Sequence, residues 1–226
     1  MNFISHYYFD KNNNDSYQIL GSVLPDLIRN ADKDWKIFPE KIPTSNLNSR
    51  ELQSIQQGWK KHIEVDRIFH NADFFLYHQH QLKKEIAPVF HGTAIKPFFI
   101  GHVGLELCLD HLLLKHQLID INLFYSQLNQ IDKNILCNFL SLNKIDDHTK
   151  FLKYYNSFIS EQYLKTYIKL GSISYSIKRI CMRIWPDTIS HTQEDELTFA
   201  IKNYISKLEE NFMIIFDKID SQLIDG

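Results

Sequence analysis

Glycine and proline are scarce in this sequence, which has 7 glycines and 6 prolines among 226 residues. Both residue types mark tight turns, so their scarcity argues against a fold assembled from many short strands and hairpins. Alternating polar and apolar runs are also missing, whereas leucine, isoleucine, lysine, glutamine and glutamate recur at helical spacing. We therefore predict an all-α protein, a single-domain helical bundle over residues 1–226.

Cysteine is equally rare. The 3 cysteines, Cys108, Cys137 and Cys181, lie in apolar surroundings and have no CxxC spacing. This pattern argues against a disulfide framework or a zinc knuckle, so we expect reduced thiols in a hydrophobic core.

Strong net charge and long apolar runs are also lacking. A net charge of -2 lacks the excess of basic residues that is typical of nucleic-acid-binding proteins. A composition of 44% hydrophobic and 23% charged residues is typical of a soluble globular protein. We see no apolar run of the roughly 18 residues that a membrane span needs. The opening MNFISHYYFDKNNND lacks the basic start and apolar stretch of a signal peptide. We therefore expect a cytoplasmic protein that binds neither nucleic acid nor membrane.

The apolar periodicity predicts six helices separated by short irregular segments. Ser190 and Thr192 are candidate N-caps for the last helix, whose first turn carries acidic residues. The predicted helices span residues 16–30, 50–80, 96–117, 121–143, 147–184 with a break near Gly171, and 192–222. The irregular segments are 11–15, 34–49, 90–97 and 185–192.

Two of these helices carry histidines and carboxylates on one face. Residues at positions i, i+4 and i+8 drift by only about 40° per step around a helix, so they form a stripe. One stripe is His62, Asp66 and His70; the other, on a helix apolar nearly all round, is His102, Glu106 and Asp110. Imidazole nitrogen and carboxylate oxygen are ligands for divalent metals, and two helices that face each other can supply both sides of a coordination sphere.

Simpler interpretations stay open for these residues. A histidine and an aspartate at i, i+4 often form only a local salt bridge. Charged groups on a nearly all-apolar helix, by contrast, usually pair with each other or bind metal. A di-iron bundle would require repeated Glu-x-x-His, which is missing here, whereas the adjacent pair Asp110 and His111 is typical of helical HD-type phosphohydrolases.

Four segments resemble the bacterial acyl carrier protein phosphodiesterases, in the order of that family. The opening resembles the family's Asn-Phe-Leu-Ala-His, and the second segment its Gly-Asn-Leu-Leu-Ala-Asp-Phe-Val-Arg. The third resembles Gly-Ile-x-x-His-x-x-Ile-Asp-x-x-Thr-Asp, and the fourth Asp-x-x-x-Asp-His-Phe-Leu. In this sequence they are NFISH (2–6), GSVLPDLIR (21–29), GWKKHIEVDRIFH (58–70) and LELCLDHLLLKH (105–116).

The resemblance implies an all-helical, HD-related hydrolase that removes 4'-phosphopantetheine from holo acyl carrier protein. It also implies a divalent ion, with manganese expected and magnesium, iron or zinc as alternatives. Taken with the two stripes, it favours His62, Asp66 and Asp110 as metal ligands, and Asp26, His102 and Glu106 as further ligands or as residues that orient the ligands. The implied candidates for protonating the departing serine oxygen are His6, His70 and His111. The sequence departs from the family at His70 and Glu106, where aspartate is usual in the family.

Recognition of an acidic acyl carrier protein would require basic residues. Lys61 and Arg67 flank the first stripe, and Arg179 lies in SYSIKRICMRI, which resembles a basic helix late in the family. A guanidinium binds phosphate oxygens in a bidentate fork, so Arg179 is the predicted phosphate contact. Two alternatives keep the helical fold: an HD-type hydrolase of a nucleotide or other small phosphodiester, and a non-catalytic binding protein with a decayed metal site.

Overall fold

The computed structural model describes residues 1–185 and 189–224. Every regular element within these residues is helical, which confirms the all-α prediction. The α-helices are α1 (Phe3–Tyr8), α2 (Ser16–Ala31), α3 (Arg50–His70), α4 (Asp73–Ile86), α5 (Pro97–Lys115), α6 (Ile121–Asn129), α7 (Lys133–Leu142), α8 (His148–Glu161), α9 (Leu170–Ile184), α10 (His191–Leu208) and α11 (Met213–Ile224).

Several long helices predicted from sequence are interrupted in the structure. The predicted helix 50–80 is α3 followed by α4, and the predicted helix 121–143 is α6 followed by α7. The interruption before α7 has a local cause, because the side chain of Asp132 accepts a hydrogen bond from the main-chain nitrogen of Asn134 and so caps a new helix. Residues 186–188 of the predicted irregular segment 185–192 lie outside the described residues.

The last two predicted helices are divided in the same way. A short 3-10 helix, Tyr163–Ile168, separates α8 from α9, and the final predicted helix is α10 followed by α11. Ser190 is the N-cap of α10, as expected. Its side chain accepts from the main-chain nitrogen of Gln193, whose side chain reaches back in a capping box.

The chain, predicted from sequence to be a single domain, divides into two compact units. Unit 1 is formed by residues 1–5, 67–118 and 165 onward, and unit 2 by residues 6–66 and 119–164. In unit 1, α4 packs on α5, α9 packs on α5, and α10 packs against both α9 and α4. In unit 2, α2 packs on α6 and α8, while α7 packs on α8.

Helix α5 is the central apolar helix of unit 1. Its 19 residues are long and apolar enough to cross a membrane by length and composition, although no such run was predicted from the sequence. However, 61% of this stretch is buried inside the protein, as in the core helix of a soluble domain. Its thiol at Cys108 is buried, and burial raises the pKa of that thiol well above its usual range.

Two glycines allow α2 and α3 to approach backbone to backbone within unit 2. A Cβ atom added to Gly21 would collide with the carbonyl oxygen of Ile55, and one added to Gly58 would collide with the carbonyl oxygen of Gln18. Only a residue without a side chain fits such a contact. This close approach brings the carbonyl groups of α2 within reach of side chains on α3.

Candidate metal centres

The structure assembles two separate groups of histidines and carboxylates. We call His6, His62 and Asp66, in unit 2, the His6 triad. We call His70, His102 and Glu106, in unit 1, the His70 triad. In each triad the potential ligand atoms all lie within 4.8 Å of one another, so each has the dimensions of a metal site.

Helix α3 supplies two members of the His6 triad. His62 and Asp66 are one helical turn apart, and Nε2 of His62 lies 3.6 Å from Oδ2 of Asp66. Nδ1 of His62 lies 2.8 Å from the main-chain carbonyl oxygen of Ser22 on α2. A carbonyl only accepts hydrogen bonds, so Nδ1 carries a proton and donates it, and Nε2 is directed at Asp66. This is the arrangement by which proteins orient a metal-binding histidine.

His6, on α1, completes this triad from a fully buried position. Its ring stacks on that of His62 with centroids 3.8 Å apart, and its Nε2 lies 3.3 Å from Oδ1 of Asp66. Burial and the neighbouring His62 lower the pKa of His6 to about 4, so the imidazole is neutral at neutral pH. Among the described residues, Nδ1 of His6 has no hydrogen-bond partner. A buried imidazole with so few partners is costly unless a further ligand satisfies it.

Asp66 is the most exposed member, with a third of its side chain, 33%, open to solvent. Burial by itself would raise the pKa of this carboxyl, but the neighbouring imidazoles of His6 and His62 lower it well below its usual range. Asp66 is therefore ionised. Two imidazoles and one carboxylate are a donor set that suits a divalent transition metal, and Asp66 is reached by solvent at the edge of this set.

The His70 triad is built differently, around a single oxygen atom. Nε2 of His70 lies 3.3 Å from Oε1 of Glu106, and Nε2 of His102 lies 3.2 Å from the same oxygen. The amino group of Met1 is also 3.4 Å from it. Burial would raise the pKa of Glu106, but this amino group and hydrogen bonds from His102 and His70 lower it well below its usual range. Glu106 is therefore ionised although it is mostly buried.

Asp110, predicted as a metal-binding residue, belongs to neither triad. Its carboxylate is fully buried and accepts two hydrogen bonds from Ser5. The main-chain nitrogen of Ser5 lies 2.8 Å from Oδ1 of Asp110, and the hydroxyl of Ser5 lies 2.6 Å from the same oxygen. The main-chain nitrogen of Ile4 and the side-chain amide of Asn2 also donate to it. Burial raises the pKa of Asp110 to about 7, although these donors oppose the shift. In this structure Asp110 anchors the N-terminal helix.

The remaining predicted residues around the stripes also lie outside the triads. His111 is buried, and its Nδ1 lies 2.8 Å from the carbonyl oxygen of Tyr167, so it connects α5 to the 3-10 helix. Burial lowers the pKa of His111. Asp26 is half-buried on α2. Neither triad, as found among the described residues, includes it.

The predicted basic contacts have different environments. Lys61 is not a solvated cation, because its Nζ lies 2.8 Å from Oδ1 of the buried Asp10 and 2.6 Å from the carbonyl oxygen of Phe9. Arg67 on α3 and Arg179 on α9 are exposed. Exposure leaves both guanidinium groups accessible to an acidic partner.

Sequence periodicity identified the pairs at i, i+4 but not the third member of each triad. His6 was predicted as a proton donor with the resemblance instead, because nothing in local spacing relates α1 to α3. The contact of His62 with the carbonyl group of Ser22 could not be predicted from residue type, because every residue has a main-chain carbonyl. Gly21 and Gly58 are the sequence features that permit the close contact between the two helices.

Comparison with known proteins gives no match to a protein-family model, a curated protein or a solved structure.

Proposed function

We propose that this protein is a metal-dependent phosphodiesterase that releases 4'-phosphopantetheine from holo acyl carrier protein, with the His6 triad as its metal centre. One observation carries the proposal: the potential ligand atoms of His6, His62 and Asp66 lie within 4.8 Å of one another, and the Ser22 carbonyl holds Nδ1 of His62 so that its Nε2 is turned toward Asp66. Metal-binding histidines are commonly oriented in this way, by a hydrogen bond from the other ring nitrogen to a carbonyl oxygen.

The residues of the triad would divide the work as follows. His6 and His62 would hold the ion through nitrogen, and Asp66 through oxygen at the solvent-exposed edge. A divalent ion bound there supplies a Lewis acid that lowers the pKa of a bound water and stabilises charge on phosphoryl oxygens. Since burial keeps His6 neutral, it is suited to metal binding rather than to donating a proton to the departing serine at neutral pH.

The choice of substrate rests on the resemblance to acyl carrier protein phosphodiesterases. Three of the four resembling segments contribute to the His6 triad or its support: the first provides His6, the second Ser22, and the third His62 with Asp66. Residues far apart in sequence thus converge on one cluster of suitable chemistry. This convergence supports a metal centre at the His6 triad, whereas the family assignment, an HD-like architecture and manganese as the working ion are proposed on the resemblance alone.

The test is turnover of purified holo acyl carrier protein in the presence of Mn²⁺, followed by mass spectrometry of the carrier protein. We expect loss of the 4'-phosphopantetheine mass and appearance of the apo form. His62→Ala and Asp66→Asn should reduce the rate at least about a hundredfold, more than the loss typical of a change beside a ligand. His80→Ala, an exposed histidine on α4, is the matched control and should retain the rate.

Two other outcomes would replace this proposal. Hydrolysis of bis-p-nitrophenyl phosphate or a nucleotide diester, without any action on holo acyl carrier protein, would show that the substrate is a small phosphodiester. Absence of bound metal together with absence of turnover on every ester would assign it to a non-catalytic helical binding protein.

A further inference from the structure

We infer that the His70 triad is a second metal site, which selects an ion that prefers nitrogen ligands, such as Zn²⁺, over Mg²⁺ or Ca²⁺. The inference concerns ion binding within unit 1 and does not depend on phosphodiesterase activity. It rests on the geometry of His70, His102 and Glu106, on the support of their side chains and on the chemistry of the donor set.

The spacing of the donor atoms fits a tetrahedral ion. Both histidines direct Nε2 at one oxygen of Glu106, at 3.3 Å from His70 and 3.2 Å from His102. Zinc binds nitrogen and oxygen at about 2.0–2.1 Å, so two ligands on a tetrahedron are separated by roughly 3.3 Å. The two observed separations match that edge. The third separation, between the two Nε2 atoms, lies within 4.8 Å.

The histidines are held in place by packing as well as by Glu106. Their rings are stacked with centroids 5.0 Å apart, and the buried ring of Phe75 meets both edge-on, with each centroid distance 4.9 Å. Helix α5 is fixed against α4 immediately beside His102, because a Cβ atom on Gly101 would lie only 2.7 Å from the carbonyl oxygen of Gln79. A pre-ordered donor set loses less entropy when it binds an ion.

The identity of the donors determines the class of ion. Two imidazoles with one carboxylate suit zinc and other later first-row ions, whereas magnesium and calcium prefer sites made of oxygen. About a third of each imidazole is exposed, 32% for His70 and 34% for His102, so an ion could reach the site and keep positions for water. The amino group of Met1 shares Oε1 of Glu106 and would compete with the ion for it.

The simpler interpretation is that both histidines only donate hydrogen bonds to Glu106. The two interpretations differ in a measurable way, because a hydrogen-bonded cluster binds no stoichiometric zinc. In the experiment, the full-length, metal-stripped protein is titrated with Zn²⁺ in a calorimeter. The dialysed protein is then submitted to elemental analysis. Co²⁺ serves as a spectroscopic substitute, since its visible absorption reports the coordination geometry.

The variants separate this site from the His6 triad. We expect about two Zn²⁺ per chain in the wild type and about one in either His102→Ala or His62→Ala, with His80→Ala as an unchanged control. If only the His6 triad binds metal, the wild type and His102→Ala will each hold one ion and His62→Ala none; that result overturns the inference. If only the His70 triad binds metal, His62→Ala keeps its ion and His102→Ala loses it. The metal centre of the proposed function then fails while the inference stands.

Glu106→Gln provides a second test that preserves side-chain size. We expect its zinc affinity at the His70 triad to fall at least about tenfold, while circular dichroism confirms the helical fold. Unchanged affinity in folded Glu106→Gln would overturn the inference. Zinc that is displaced by equimolar Mg²⁺ would overturn the proposed selectivity.

Discussion

Nδ1 of His62 donates to the main-chain carbonyl oxygen of Ser22, 2.8 Å away, across the contact between α3 and α2 in unit 2. This hydrogen bond determines which nitrogen of His62 is available to a ligand. It exists because Gly21 and Gly58 let the two backbones touch. The orientation of a candidate ligand therefore depends on two residues that have no side chain.

Substitution of Gly58 by alanine should destabilise the fold. The added Cβ would collide with the carbonyl oxygen of Gln18, which cannot move without displacing α2. We expect Gly58→Ala to lower the free energy of unfolding by at least about 2 kcal/mol, measured by urea denaturation. Gly171→Ala is the matched control, since nothing lies within 4 Å of its added Cβ. Equal stability of the two variants would disprove the backbone contact.

Replacement of Asp110 by asparagine should damage the fold rather than metal binding. The carboxylate accepts from Asn2, Ile4 and Ser5, and an amide would direct N–H groups at some of these donors. We expect Asp110→Asn to lower the free energy of unfolding by about 1–3 kcal/mol while bound metal per folded chain stays unchanged. Asp146→Asn, at an exposed position, should change neither quantity. Loss of metal from a folded, stable Asp110→Asn protein would restore the role predicted from sequence.

Lys61 and Arg179 should respond differently to removal of charge. Lys61 neutralises the buried Asp10, so Lys61→Met leaves a buried carboxylate without its cation. We expect a loss of about 2–4 kcal/mol in the free energy of unfolding for Lys61→Met. We expect almost none for the exposed Arg179→Ala, which should instead raise KM for acyl carrier protein. The idea that Lys61 serves stability would fail if Lys61→Met raised KM but left the unfolding curve unchanged.

Buried histidines should make the protein less stable in acid. Burial lowers the pKa of His78, whose Nδ1 lies 2.6 Å from the hydroxyl of Tyr204. A histidine with a lowered pKa binds fewer protons in the folded state, so its contribution to stability is lost as pH falls below about 6.5. His6 and His111 act in the same direction. Asp110, whose pKa is raised to about 7, acts in the opposite direction as pH falls from about 7 to about 4.

We therefore predict a decline in the free energy of unfolding from about pH 7.5 to about pH 5.5 that is shallower in His78→Asn than in the wild type. Asparagine retains an N–H near the Tyr204 hydroxyl but does not titrate. The measurement is urea denaturation across this range. His80→Asn, at an exposed position, should show the same decline in the free energy of unfolding with pH as the wild type. An equally steep decline in His78→Asn would show that His78 does not contribute to it.

The breaks between helices show where sequence periodicity was insufficient. Apolar spacing continues across residues 71–72 and 130–132, so the pattern merged α3 with α4 and α6 with α7. At the second break the side-chain cap of Asp132 ends that continuity without altering the apolar pattern, whereas α4 begins after Ala72 without a side-chain cap. The start of α10 was predictable because Ser190 and Gln193 form a capping box, which is a local signal.

The sequence by itself determined the helical class and the local pairs, His62 with Asp66 and His102 with Glu106, since helix geometry fixes neighbours at i, i+4. Only the tertiary structure decided that His6 joins the first pair and that Asp110 accepts hydrogen bonds from the N-terminal helix. The physical reason is that helical spacing is a local property. Contacts between distant segments depend on how closely backbones approach and on which buried donors and acceptors are thereby satisfied.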